Sequence, residues 1–406
     1  MTIWVDIKEF PLSTKKVLFV QWLTTMGSFA VIPFLVIFLV QHKHLSIEFS
    51  TFQLSLFLAG QYGATFIGGV MSDKLSSNMT MKCGLSVQIF CYLIFLFNIS
   101  TPWIICVLSI GIGIGRGLFT PAAKTLVTLL SKESNKVLLF SFRSTINNIG
   151  VALGSAIGGF FMNIDSALFF GIASASQLIA LLILYFLPNP HKIHTVLNVP
   201  SLRKNNNGAI GYLITNIPFI MVCLFYILFN FIYTQLQSTF PLFASYHWGA
   251  LSVSALFIMN AVIVILFQVL INVWLNKWFS PWLSMCFGFL AFFVTFLAIG
   301  ITKELGFFII LIAFFTFGEI TIEPTIDAVT SSNISTKWLG SAFGVLGITG
   351  LIGSVTGNSI AGHFLRIDIN NPQNLWMICM IISLIGVFFA LFSFLKRKNA
   401  NSIKIN

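Results

Sequence analysis

Residues 102–130 read PWIICVLSIGIGIGRGLFTPAAKTLVTLL, an apolar run broken by two charges, Arg116 and Lys124. About 20 residues suffice to carry a helix across the ~30 Å hydrocarbon core of a bilayer. The run shows no period of two, so it is not a barrel strand. Gly111, Gly113 and Gly115 are spaced as in a nucleotide-binding loop, but no strand precedes them. The stretch reads as a membrane-crossing helix with an arginine half-way along.

The rest of the chain repeats this composition. Of 406 residues, 57% are hydrophobic and 8% charged, and the mean hydropathy is +0.94. A soluble domain carries about 25% charged residues, and disorder needs the opposite balance of charge and hydrophobicity. Both classes are excluded. The net charge of +11 does not call for nucleic acid, because basic residues of membrane proteins collect on cytoplasmic loops. The six cysteines lie in apolar stretches without metal-ligand spacing. No metal site, cofactor or enzyme constellation is expected.

Cutting at charge clusters and at Pro, Asn and Ser breaks gives twelve spans. They cover 17–40, 51–72, 79–98, 102–130, 138–163, 166–187, 217–242, 251–275, 281–301, 305–330, 338–364 and 374–395. The expected organisation is a six-helix bundle over 1–188, a polar cytoplasmic linker over 189–216 and a second six-helix bundle over 217–406 with a short tail. With both termini in the cytoplasm, 16 of the 22 basic residues fall on that side and three (Lys43, Lys303 and Arg366) on the other. That bias sets the expected orientation.

An offset of 203 residues relates the two halves. It pairs Gly115-Arg116…Pro121 with Gly318-Glu319…Pro324, Gly150 with Gly353, Gly154 with Gly357, Gly159 with Gly362, Ile164-Asp165 with Ile367-Asp368, and Lys74 with Lys277. A constant offset through two spans and their loop implies two parallel repeats, the architecture of transporters that rock two bundles about a central site.

Ionisable residues deep in a span cost at least ~2.5–3.5 kcal/mol and are functional candidates. Arg116 and its repeat mate Glu319 sit at the same expected depth. Glu323 and Asp327 follow Glu319 at i+4 and i+8 on one helix face. Proton coupling is expected from Glu319, Glu323, Arg116 and Asp327, with Arg116 and Glu319 facing each other between the halves. A fixed Arg116–Glu319 ion pair that only locks the halves is the competing reading. Arg143 either lines the cavity or snorkels to the surface. Gln21, Gln61, Asn148 and Gln235 are polar residues within spans and complete the candidate cavity with Arg116 and Arg143. Helix–helix hydrogen bonding accounts equally for any one of them. Gating is expected of Gly69, Asp73 and Lys74, and of the stripe Gly150, Gly154, Gly158 and Gly159. Plain small-residue packing is the alternative for that stripe.

Twelve spans in two repeats, the Gly69…Asp73-Lys74 signature and the fifth-span glycine stripe together resemble the major facilitator superfamily over nearly the whole chain. Within it, the sequence is similar to the twelve-span drug:proton antiporter group. Gly27-x5-Pro33 resembles that group's first-helix motif. The glycine stripe resembles its antiporter motif, with Ser155 where the group has proline. Arg116 lies where the family places a membrane-embedded arginine, and Gly318-Glu319…Pro324…Gly340…Gly344 resembles the tenth-to-eleventh-span region of bacterial multidrug exporters. Two departures stand out: the loop after Lys74 has only Lys82 in place of a basic cluster, and the first span has no acidic residue. The resemblance implies an all-α polytopic fold of two pseudo-symmetric six-helix bundles. It also implies a monomer in a bacterial inner membrane, and proton-coupled export of a drug or of an anionic or zwitterionic metabolite such as a siderophore. Proton-coupled uptake of a nutrient, and a non-transporting receptor, are the alternatives.

Overall fold

The computed structural model describes residues 10–97, 99, 101–131, 136–164, 168–187, 208–301, 304–368 and 371–402. Residues 189–207 of the expected linker lie outside the described residues, as do Lys8, Lys132, Asp165, Lys192, Arg203, Lys204, Lys303 and Lys404. The described residues are helical, with no strand among them.

Among the described residues, fifteen α-helices follow one another. In the first half they are α1 (Leu12–Val31), α2 (Leu35–Gln41), α3 (Ile47–Lys74), α4 (Ser77–Phe95), α5 (Pro102–Leu129), α6 (Lys136–Ile164) and α7 (Leu168–Tyr185). A short α8 (Ala209–Thr215) precedes α9 (Ile217–Gln237), α10 (Thr239–Trp248), α11 (Ala250–Trp278), α12 (Pro281–Ile299), α13 (Leu305–Asn333), α14 (Leu339–Ile367) and α15 (Gln373–Ser402). Each of the twelve expected spans coincides with a helix or a broken pair of helices. The chain is an all-α, multi-pass membrane protein.

Among the described residues, eleven of these spans are long and apolar enough to cross a membrane. The exception is α4, whose 19 residues include Asn78, Thr80, Lys82 and Gln88. Asn78, Thr80 and Gln88 are buried. Asn78 Nδ2 donates to the carbonyls of Leu184 and Leu187 at 3.3 and 3.4 Å. The polarity of α4 therefore faces protein, where a partner is available, and it lowers the mean hydropathy without facing lipid.

The helix ends follow local chemistry. Ser46, Ser76 and Ser280 cap α3, α4 and α12 by accepting the backbone N–H three residues on, at 3.2, 3.1 and 3.3 Å, as N-cap serines do. The first span breaks at a 3-10 turn, Ile32–Phe34, that contains Pro33. The seventh breaks at Ser238 and then continues to Trp248, six residues past its expected end. Gly249 ends it at φ +80, a conformation that glycine alone adopts without strain.

The chain separates by contact into two compact units. One comprises Met1–Ser134, Ile146–Phe219 and Asn333–Ile348; the other comprises Asn135–Thr145, Ile220–Ser332 and Thr349–Asn406. The early turns of α6 and of α14, which are repeat mates, are thus the segments each half contributes to the other unit.

Within each unit, helices meet at glycines. A Cβ on Gly154 would strike the Met26 carbonyl of α1, and one on Gly158 the Ala30 carbonyl. In the second unit, Gly353 and Gly357 press in the same way on the carbonyls of Ile227 and Phe231 in α9. The stripe Gly150, Gly154 and Gly158 is therefore a backbone-to-backbone seam with α1, and α14 repeats it against α9. Gly159 lies beside the Phe34 ring. A second seam joins α3 to α5, where Gly113 meets the Phe57 carbonyl and Gly117 the Gln61 carbonyl. The aromatic cores correspond as well: Phe38, Phe95, Phe169 and Phe170 pack in the first unit, and Phe240, Phe296, Phe315 and Trp376 in the second.

Adding a methyl group tests the α3–α5 seam. Gly117→Ala is expected to lower the unfolding midpoint of the purified protein, in line with a cost of about 1–3 kcal/mol for overpacking. Gly63→Ala should leave the midpoint unchanged, because nothing lies within 4 Å of its added Cβ. Equal midpoints would contradict the seam.

Candidate functional site

The second unit holds Glu319, Glu323 and Asp327. Glu319 lies on α13 and is 5% exposed. Asn260 of α11 donates from Nδ2 to Glu319 Oε2 at 2.7 Å and to Thr316 Oγ1 at 3.1 Å. Tyr233 of α9 is a second hydrogen-bonding neighbour of Glu319, and Glu323 is the nearest acidic group. Tyr233 in turn stacks on Phe229 at 5.4 Å. Among the described residues no ion pair holds Glu319. Its carboxylate is set among neutral donors, one helical turn from a second carboxylate.

This part of α13 is opened by Pro324. Proline has no N–H, so the carbonyl of Ile320 has no donor from within its own helix. Asn272 of α11 supplies it, donating from Nδ2 to Ile320 O at 2.6 Å. Gln268, one turn earlier, accepts from Thr145 Oγ1 at 3.2 Å. Asn260, Gln268 and Asn272 recur at multiples of four residues, so they line one side of α11. None of them is among the expected site residues. Their signal in the sequence is this spacing of amides within one span.

Asp327 has a different partner from Glu319. Its Oδ2 lies 3.8 Å from Arg143 Nη1, with the side chains 3% and 10% exposed. Arg143 is thus buried beside an acid and does not snorkel. Near it, Lys136 Nζ donates to Ser331 O at 2.6 Å, close to the end of α13, where the helix dipole favours a cation.

The first unit holds Arg116. Its guanidinium lies over the Phe29 ring, 5.2 Å from the centroid, in the range of a cation–π contact. Tyr92 and Tyr62 are its polar neighbours. Arg116 and Glu319, mates in the repeat, are each served by residues of their own unit. The remaining cavity candidates separate by burial. Gln61 and Asn148 are partly exposed. Gln21 is buried at 2%. Gln235 is fully buried, and its amide is taken up by the carbonyls of Phe231 and Gly357 and by Thr239.

The Gly69…Asp73 signature forms a defined contact in the same unit. Asp73 Oδ1 accepts the N–H of Gly340, and Oδ2 that of Ser341, both at 2.7 Å. These are the first N–H groups of α14, where the helix dipole is positive and no intrahelical acceptor exists. Gly69 abuts the Gly340 carbonyl, so glycine at both positions lets the carboxylate reach the helix end. Lys74 is exposed. Sequence spacing singled out Gly69 and Asp73 but not the helix end they engage.

The chain is similar to known proteins over most of its length. The family model described as Major Facilitator Superfamily matches residues 17–358. The chain is 25% identical to the MFS-type transporter YqjV of Bacillus subtilis (strain 168), over 90% of each chain. It is 23% identical to the multidrug resistance protein MdtH of Photorhabdus laumondii, over 94% of each. Its fold is similar to the crystal structure of the human organic anion transporter MFSD10, with a TM-score of 0.74 at 14% identity, covering 94% of this chain and 100% of that one.

Two substitutions, with Lys74→Gln as a control, test the geometry. Asp73→Asn retains one acceptor oxygen and loses the charge. It should lower the unfolding midpoint by an amount equivalent to about 1.5–3 kcal/mol, the range for charged hydrogen bonds, whereas Lys74→Gln should not shift it. Asn272→Leu leaves the Ile320 carbonyl unpaired and should cost about 1–3 kcal/mol. Unchanged midpoints for Asp73→Asn and Asn272→Leu would contradict these contacts.

Proposed function

The chain belongs to the Major Facilitator Superfamily, and on that premise we propose that it is a proton-coupled antiporter exporting a small molecule by alternating access. Proteins of this family are transporters and not enzymes. The observation that carries the proposal is Glu319: a carboxyl group buried at 5% exposure, bonded to an amide at 2.7 Å and without a basic partner among the described residues. A carboxylate so placed is costly to keep ionised without a counter-charge. Taking up a proton removes the charge, and releasing it restores the strong acceptor that Asn260 binds. Glu323, beside it, makes simultaneous ionisation of the pair costlier still.

In this reading Glu319 carries the proton and Glu323 assists. Asp327 is the structural anion for Arg143. Asp73 and Gly69 hold the first turn of α14 in one transport state and release it in the other, with Lys74 at the membrane surface. The seams at Gly150, Gly154, Gly158 and Gly159 let α1 and α6 move as a closely packed pair. The proton gradient drives the cycle.

Arg116 is the basic group left for substrate, beside Tyr62, Tyr92 and Phe29. It favours an anionic or zwitterionic compound, such as a siderophore or a zwitterionic drug. Export is supported by the likeness to a multidrug resistance protein. The functional halves are 1–188 and 217–406, joined by 189–216. The basic-residue bias favours both termini in the cytoplasm of a bacterium, and the proposed working unit is a single chain. Ser155, where the antiporter pattern has proline, favours a second reading, proton-coupled uptake.

Everted vesicles with an acidic lumen, which is their former periplasmic side, test both points. A panel of zwitterionic and anionic compounds is added, and collapse of the gradient is followed. Antiport predicts that an exported compound accelerates the collapse, whereas uptake symport predicts that it does so only in right-side-out vesicles. Glu319→Gln should reduce gradient-driven transport at least tenfold while binding persists. Full gradient-dependent transport by Glu319→Gln would overturn the proton-carrier role.

A further inference from the structure

Helices α11, α12 and α13 enclose an apolar groove of about 570 Å³, a volume typical of ligand pockets. Trp274, Phe279, Phe287, Ala291, Val294 and Phe317 line it. None of them takes part in the transport reading above. Trp274, Val294 and Phe314 are 58%, 38% and 48% exposed, so in a membrane the groove opens sideways to lipid.

Its depth is informative. From Pro281 to Val294, α12 rises roughly 20 Å at 1.5 Å per residue. The hydrocarbon of one leaflet is about 15 Å thick, half of the bilayer core. The groove therefore runs from the α11–α12 turn through about one leaflet, along the path of an acyl chain.

Its shallow end is aromatic. The Trp274 ring meets Phe279 at 5.9 Å, and Phe279 meets Phe287 at 5.1 Å. Trp278 is 65% exposed. Tryptophan favours the membrane interface. Lys277 follows Trp274 by three residues, which puts both on one side of α11. Lys277 is exposed. Its contact among the described residues is the Trp278 ring, 5.3 Å from Nζ, and no carboxylate among them pairs with it. The repeat sharpens this point. Lys74 follows Asp73, whereas its mate Lys277 follows Asn276. The second repeat keeps the cation and replaces the neighbouring acid by an amide.

A basic group, two interfacial tryptophans and a leaflet-deep apolar slot correspond to the phosphate, the glycerol region and one acyl chain of a lipid. We propose that this groove is a binding site for one anionic phospholipid, with a chain along Phe287, Ala291 and Val294 and the phosphate at Lys277. Neither the direction nor the coupling of transport enters this assignment.

Native mass spectrometry of the purified full chain tests it, with phosphatidylglycerol and phosphatidylcholine of identical acyl chains as probes. The wild type should retain one phosphatidylglycerol about fivefold more tightly than phosphatidylcholine, the preference of a single basic residue at an anionic surface. Lys277→Gln should abolish the preference, and Val294→Trp should weaken retention of both lipids. Both positions are exposed, and unfolding midpoints equal to the wild type establish that both variants fold. Equal retention of the two lipids by the wild type, an undiminished preference in Lys277→Gln, or unchanged retention in Val294→Trp would each overturn the proposal.

Discussion

Inside a hydrocarbon layer no water completes a hydrogen bond, so every polar group placed there has to be matched from within the protein. Much of this structure is a response to that constraint. Pro324 leaves the Ile320 carbonyl without a donor, and Asn272 fills the gap. Glu319 is met by Asn260, Arg143 by Asp327, and the first N–H groups of α14 by Asp73. Each match needs two helices closer than ordinary side chains allow, or a polar side chain turned inward at one depth. The glycine seams provide the close approach, and the amides of α11 provide the inward polarity.

The two repeats meet this constraint with one scheme and different residues. Gly154 against α1 and Gly357 against α9 make equivalent seams. The position that holds Arg116 in the first repeat holds Glu319 in the second, and the two surroundings differ to suit. The arginine lies on an aromatic face among tyrosines, and the glutamate lies among hydrogen-bond donors. Duplication preserved the helix packing, while the charges inside it diverged in sign. This is the asymmetry a transporter needs if one half handles the proton and the other recognises cargo.

The spans were legible because composition alone reports burial in lipid, and the break in the first span because Pro33 marks it. The break at Ser238 is marked in the same way by Pro241, in the first turn of α10, whose missing N–H leaves the Gln237 carbonyl without its helical donor. The polar residues of α4 are visible in the sequence, yet their direction is not, so its low hydropathy is explained only by the partners Asn78 finds in α7. The same limit hid the site. Glu319 stands out as a charge in an apolar run, but Asn260 is one of several neutral polar residues in spans, and only its distance distinguishes it. The pairing of Arg143 with Asp327 joins helices far apart in sequence, and spacing offered Arg143 two fates without choosing. Gly113, with Gly111 and Gly115, has the spacing of a nucleotide loop without its strand, and the seam that Gly113 and Gly117 make with α3 follows only from the carbonyls they face.

As the proposed proton carrier, the Glu319 carboxyl group has to gain and lose a proton during transport. Infrared difference spectroscopy of the purified protein between acidic and alkaline buffer reads this directly, through the carbonyl stretch of a protonated carboxyl group. The account predicts a protonated-carboxyl band that titrates in the wild type and is missing in Glu319→Gln. A band of unchanged intensity and midpoint in Glu319→Gln would contradict it.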